Sequence, residues 1–343
     1  MKNIQPATVP TEVRPRAIGW IKTLKAYRAP TVRRSSFELA ITILPLLALW
    51  AAAVWSTSIS YWLTLPICFI AGGFMVRLFL IQHDCSHAAF FKSHKLNDWV
   101  GRVIGVFTVT PYDTWKKSHL IHHRNHGNLH ERGIGDVHTL TTEEFRAKPF
   151  WGRVAYRWYR HPLVMFGLGP AFLFLLHHRL PIGLMTAGPR YWVSTMATNL
   201  GMMAIMTAGI WAIGWLPFLV TYLLIICSAA TMGVWLFYVQ HQFEDAIWDE
   251  PQDWQVHEAA LYGSSHYDLP IVLRWITANI GIHHVHHLYS KIPFYRLGKV
   301  LRDHPELHGV RRMTLLESFR TVRLKLWCPT TRRMVSFQDA AMA

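Results

Sequence analysis

Three runs of histidine carry the chemistry open to this sequence. His83 and His87 stand four apart in His83-Asp84-Cys85-Ser86-His87, while His119, His122 and His123 form one H-x-x-H-H run and His283, His286 and His287 another. On a helix, residues three and four apart share a face, so each run can aim two or three imidazoles at one point. Neutral imidazole is the commonest protein ligand for transition metals. Eight such ligands are too many for one ion and enough for two. The residues therefore point to a membrane enzyme built around a pair of metal ions.

The elements that must hold these ligands are legible from charge. No charged residue occurs from Leu39 through Val76 or from Tyr191 through Phe243. A single membrane-crossing helix needs about 20 apolar residues, so each run is long enough for two. The expected spans are 37–56 and 62–82, turning at 57–61, then 191–213 and 217–240, turning at 214–216. The fold class expected is an all-α membrane protein: four transmembrane helices in two hairpins, with a helical cytoplasmic cap carrying the His-rich two-metal site.

Residues 1–36 carry eight Lys/Arg against one acid, Glu12, and the two short turns carry no charge. By the positive-inside rule the arm, the central segment and the tail lie in the cytoplasm, with both termini and the metal site on that side. The net charge of +15 then reads as topology plus attraction to anionic head groups. No nucleic-acid recognition motif accompanies it, so no nucleic-acid partner is expected. The first apolar run follows a long basic arm and precedes a second apolar stretch, unlike a cleavable signal peptide. Cys68, Cys85, Cys227 and Cys328 show no C-x-x-C spacing, which favours reduced thiols; Cys85 reads as a small filler between ligands.

The chain divides into a basic arm (1–36), a first hairpin (37–82), a helical cytoplasmic segment (83–190), a second hairpin (191–240) and a cytoplasmic tail (241–343). Within the third part, 162–178 is apolar but short and broken by Gly167, Gly169 and Pro170, which suits an interfacial position. Arg77 lies near the end of the second span, where its long stem could reach the interface. The second and fourth spans run in the same direction, so His241 leaves the membrane at the depth of His83 and adds a ninth imidazole. Two metals would share the nine at four or five each. No Glu-x-x-His is present, so the site should be nitrogen-dominated, unlike carboxylate-bridged di-iron bundles. The scattered histidines, His266 among them, read as surface or interfacial; His126 and His284 read as supporting or solvent-facing groups.

Beyond the boxes, Phe107–Trp115, Gly133-Ile134-Gly135-Asp136, Gly233–Asp245 and Asn279–His283 complete a pattern that resembles integral-membrane fatty acid desaturases, close to bacterial acyl-lipid desaturases of the Bacillus type. The resemblance covers roughly 35–340. It implies an O2-dependent enzyme that inserts a cis double bond into an acyl chain, using two iron ions and two external electrons. The implied ligands are His83, His87, His119, His122, His123, His241, His283, His286 and His287. Asp84, Asn125, Asp136, Glu244 and Asp245 are candidates for supporting roles. Animal acyl-CoA desaturases carry an asparagine four residues before the histidine matched by His241; Phe237 stands there in this chain.

The resemblance further implies membrane phospholipid acyl chains as substrate, a ferredoxin or flavodoxin-type electron donor, and residence in the bacterial cytoplasmic membrane. A methylene C–H is neither acidic nor electrophilic, so acid–base and nucleophilic catalysis have no purchase on it. The alternative on the same scaffold is a hydroxylase or ketolase. A metal transporter would bury its ligands near mid-span, and a haem protein would pair histidines inside facing spans; neither matches ligands at span ends and in polar segments.

Overall fold

The computed structural model describes residues 14–133 and 135–342. The first part of the basic arm, 1–13, and Ile134 of the glycine-flanked motif lie outside the described residues. Most of the described residues are helical. The first half comprises α1 (Arg14–Leu24), α2 (Val32–Ser56), α3 (Tyr61–Ser86), α4 (His94–Phe107), α5 (Tyr112–Asn125), α6 (Thr142–Ala147), α7 (Phe150–Tyr159) and α8 (Gly169–Leu175). Then follow α9 (Pro189–Ile213), α10 (Trp215–His241), α11 (Val256–Tyr262), α12 (Ile271–Ile276), α13 (His283–Leu288), α14 (Phe294–Asp303), α15 (Leu315–Thr321) and α16 (Phe337–Met342). Two small sheets tie the tail together: β1 (His266–Asp268) runs parallel to β2 (Arg312–Thr314), and β3 (Leu326–Cys328) antiparallel to β4 (Arg333–Val335).

Among the described residues, four helices, α2, α3, α9 and α10, are long and apolar enough to cross a membrane. Their bounds lie within a few residues of the expected ones except at two ends. The start of α2 reaches back to Val32, where the Thr31 hydroxyl caps the helix by accepting from the Arg34 amide. The end of α3 runs on to Ser86, so the first histidine run is a continuation of the span. A single residue, Gly214, separates α9 from α10; its φ of +85° is the left-handed geometry that glycine adopts without a Cβ penalty.

α3 is the central pillar, packed against α2, α4 and α10. Its approach to α10 is close: a Cβ on Gly72 would lie 2.8 Å from the Ser228 Cβ. The two helices that end in His83 and His241 are thus held almost backbone to backbone. The segment expected to be interfacial is a π-helical turn, Val164–Leu168, followed by α8 and a 3-10 turn, His177–Arg179. It bends 57° from α7, and the pair together has the length and composition of a broken fifth span or a re-entrant loop. Its Phe166 carbonyl accepts from Thr231 of α10 at 2.7 Å, while Leu163, Leu168 and Leu176 stay exposed.

The fold gives one segment a seat that the sequence did not show and overturns the expectation for Arg77. From Arg14 onward the basic segment is helical and seated on the tail, with α1 against α11 and α13 and the Tyr27 hydroxyl donating to Asp303 at 2.7 Å. Arg77 does not reach an interface. It is 1% exposed, ion-paired with the equally buried Glu38 of α2, and bonded to the Thr42 hydroxyl at 3.1 Å. A paired guanidinium inside the bundle avoids the cost of an isolated charge in lipid.

Candidate metal centre

The nine imidazoles arrive on four helical elements. α3 presents His83 on its last turn and His87 as its C-cap residue. α5 brings His119, His122 and His123 on its final turns, α10 ends on His241, and α13 carries His283, His286 and His287. Each element thus delivers its ligands at a helix end or within a helix too short to bend, which fixes their directions.

All nine meet, in two groups. His83, His87, His119, His123 and His286 form the first; His122, His241, His283 and His287 form the second. Within each group the candidate ligand atoms all lie within 4.8 Å of one another. The split follows from helix geometry. Residues i and i+4 lie about 40° apart round the helix, whereas i+3 and i+4 lie about 100° apart. Accordingly His119 and His123 enter the first group and His122 turns to the second. The other H-x-x-H-H run does the reverse: His283 and His287 enter the second group and His286 turns to the first. The rings of His123 and His287 stack between the groups, their centroids 4.0 Å apart.

The nitrogen spacing fits ions. In the first group Nε2 of His119 lies 3.0 Å from that of His87 and 3.1 Å from that of His123, whose own Nε2 lies 3.1 Å from that of His286. In the second, His283 and His241 stand at 3.0 Å and His122 and His287 at 3.3 Å. Two nitrogens bound about 2.1 Å from one ion lie roughly 3.0 to 3.4 Å apart, from octahedral to tetrahedral corners. Hydrogen bonding alone cannot serve these atoms, because each contact needs one protonated nitrogen and the Nε2 atoms of His119 and His123 each face two others. A cation meets all the lone pairs at once. Neither group contains a carboxylate or thiol, and such an all-imidazole donor set suits iron, copper, zinc or nickel.

Protonation agrees. Burial holds the imidazoles of His87, His119, His123, His283, His286 and His287 well below the ordinary 6.5, and the neighbouring imidazoles push the same way. They are neutral at pH 7, the form that binds metal.

The surrounding residues sort plainly. The Nδ1–H of His122 donates to the Asp136 carboxylate, which fixes the tautomer and turns Nε2 inward. Asp84 accepts from the Phe294 amide at 2.7 Å. Asn125 donates to Glu131 at the surface, and Glu244 and Asp245 pair with Arg333 and Arg311. Cys85 is buried and belongs to neither group. His126 is buried, groups with His122 and Asp136, and places its ring 4.3 Å from His241. Its four-residue spacing from His122 was a signal for this role. His266 is buried, not superficial, and bonds the His308 carbonyl beside His284. Trp115, one helical turn before His119, stacks on that imidazole at 4.6 Å. The Phe237 ring packs 5.1 Å from His122 and 5.0 Å from His241.

Inside the bundle, Trp50, Met75, Val106, Ile205, Tyr222 and Ile226 line a cavity with a predominantly apolar wall. Met75 lies eight residues before His83 on α3, roughly 12 Å along the helix.

The sequence profile for fatty acid desaturases matches residues 60–315. Over 317 residues the chain is 40% identical to a "Fatty acid desaturase" of Bacillus subtilis (strain 168), covering 92% of this chain and 90% of that one. It is 29% identical over 286 residues to an "sn-1 acyl-lipid omega-3 desaturase (ferredoxin)" of Nostoc sp. (strain 36), covering 79% and 74%. An "sn-1 oleoyl-lipid 12-desaturase" of Anabaena variabilis matches at 25% over 316 residues, covering 81% and 78%.

Proposed function

The chain belongs to the fatty acid desaturase family, and we propose on that premise that it is an O2-dependent acyl-lipid desaturase whose nine imidazoles hold two iron ions. The observation that carries this reading is the convergence of four helical elements on two all-nitrogen groups with the spacing of ion ligands. Bound there, a pair of irons supplies the redox chemistry by which dioxygen takes two hydrogens from adjacent methylenes. The balance closes: O2 accepts four electrons, two from the C–H bonds and two from a donor, and with two further protons leaves as two waters.

The chain's own residues supply position and exclusion. His83 and His87 on one side and His241 on the other anchor the ligand cage to the ends of α3 and α10. Asp136 keeps His122 in the tautomer whose Nε2 faces inward. Trp115 and Phe237 cover imidazole faces with rings, which keeps water from the ligands. The cavity along α3 is apolar but only about 10 Å³, so an acyl chain lying beneath the ligand cage would have to part its walls; a substrate that enters there need not leave the lipid phase. Phospholipid acyl chains as substrate and a ferredoxin-type donor are supported by the named relatives. The charge of +15 would steer an acidic donor. The positive-inside argument supports a cytoplasmic site at the bacterial inner membrane.

Expression in a bacterium lacking desaturases tests this reading. Fatty acid profiling should reveal a new unsaturated species two mass units lighter than its precursor. His87→Ala in the first group, or His287→Ala in the second, should abolish it. A product heavier by one oxygen would point to a hydroxylase, and wild-type product from either variant would refute the ligand assignment.

A further inference from the structure

We infer that Arg77 and Asp84 of α3 are positioning residues that grip the third histidine run from both sides and set its register on the first. The two lie seven residues apart, on one face of α3, and both are 1% exposed. Neither spends its main contact on a metal ligand of the third run. Arg77 donates from Nη1 to the Trp275 carbonyl, eight residues before His283, and stacks its guanidinium 4.3 Å from the Trp275 ring. Asp84 accepts from the Phe294 amide at 2.7 Å, seven residues after His287. The Phe294 ring also lies 5.3 Å from the Arg77 guanidinium, so the two grips share one residue. The bracketed stretch, 275–294, contains the whole of α13.

A grip of this kind has a task to perform. Between Trp275 and His283 the backbone places two consecutive non-glycine residues, Ala278 and Asn279, in the left-handed region at φ of +50° and +54°. Such conformations are strained and persist where the surroundings over-determine them. The Asn279 side chain closes the bracket on itself by donating to the Phe294 carbonyl at 3.3 Å. The result is that His286 reaches the first run, its ring 4.5 Å from that of His83. Glu38 completes the device by neutralising Arg77 from α2, and the Thr42 hydroxyl oxygen accepts a hydrogen bond from Arg77 Nε.

This inference rests on the third run being a ligand set, but its test does not require iron. The full-length protein is placed in lipid nanodiscs as wild type, E38L/R77M, D84A and D84N. E38L/R77M removes the buried ion pair as a unit; the one charge that loses a partner is Arg34, which also pairs with Glu38 but is half exposed and stays solvated. D84N keeps an oxygen able to accept from the Phe294 amide, whereas D84A does not. Hydrogen exchange is read on metal-stripped protein, and release of iron to a chelator on loaded protein. Expected are exchange about tenfold faster within 275–294 for E38L/R77M and D84A, confined to that stretch, and iron release faster by a similar factor. D84N should stay near wild type in both. Should E38L/R77M fail to fold, the D84A and D84N pair decides alone. Unchanged exchange in 275–294, acceleration spread across α2 and α3 instead, or D84N behaving as D84A would overturn the inference. Faster exchange without faster iron release would leave the grip standing and count against the ligand role of the third run.

Discussion

Replacing Asp136 by asparagine should release one iron and spare the other. Asp136 accepts from Nδ1 of His122, whose side chain is fully buried while that of Asp136 is 6% exposed. The carboxylate can only accept, so His122 must carry its proton on Nδ1 and present a bare Nε2 to the second group. An asparagine can donate instead, which favours the opposite tautomer and puts the proton on the ligating nitrogen. Loss of such a supporting partner typically costs 10- to 100-fold in metal affinity, about 1.4 to 2.7 kcal/mol. His122 is one of four imidazoles in its group and is not a member of the group of five. Transfer of iron from the purified Asp136→Asn protein to a ferrous chelator should therefore become biphasic. One equivalent should leave roughly 10 to 100 times faster than from wild type, the other at the wild-type rate. Equal acceleration of both equivalents, or of neither, would refute the division of ligands and the tautomer argument with it.

Three further expectations follow from other parts of the molecule. Gly72→Val would drive a side chain into Ser228, 2.8 Å from where its Cβ must sit, and pry α3 from α10. A loss of about 1 to 3 kcal/mol is expected, with a lowered thermal midpoint and looser iron; an unchanged midpoint would contradict the close approach. The metal-stripped protein should lose stability on acidification. The buried imidazoles outside the spans have folded values well below the 6.5 of the unfolded chain. The unfolded state therefore binds more protons below about pH 6.5, and stability is complete above that value and declines as pH falls. Each such imidazole contributes up to about 1.4 kcal/mol per pH unit; a thermal midpoint that stays flat or rises from pH 7 to 5 would contradict this. Finally, Ile226→Trp should crowd the small apolar cavity, keep its walls from parting and shift products toward shorter acyl chains in gas chromatography, whereas an unchanged chain-length profile would remove that cavity from the substrate path.

The sequence made the histidine runs and the spans legible for a simple reason: both depend on short-range spacing. Uncharged runs marked α2, α3, α9 and α10, and the H-x-x-H-H pattern marked two helices able to chelate. What it could not reveal depends on how distant segments register. The crossing of His122 and His286 into opposite groups requires α5 and α13 to face each other. Arg77 seemed destined for the interface because its partners, Glu38 and Trp275, lie 39 and 198 residues away. The seat of the segment from Arg14 was not visible because the surface it covers belongs to the tail. His126 is a different case: its spacing from His122 was visible, and the contacts that make it a supporting group, Gly263 and His241, were not.

Anomalous diffraction at the iron edge from crystals of the iron-loaded protein tests the arrangement most directly. The expected map has two peaks per chain, one within bonding distance of His83, His87, His119, His123 and His286, the other of His122, His241, His283 and His287. A single peak, or density displaced from these imidazoles toward carboxylates or thiols, would contradict it.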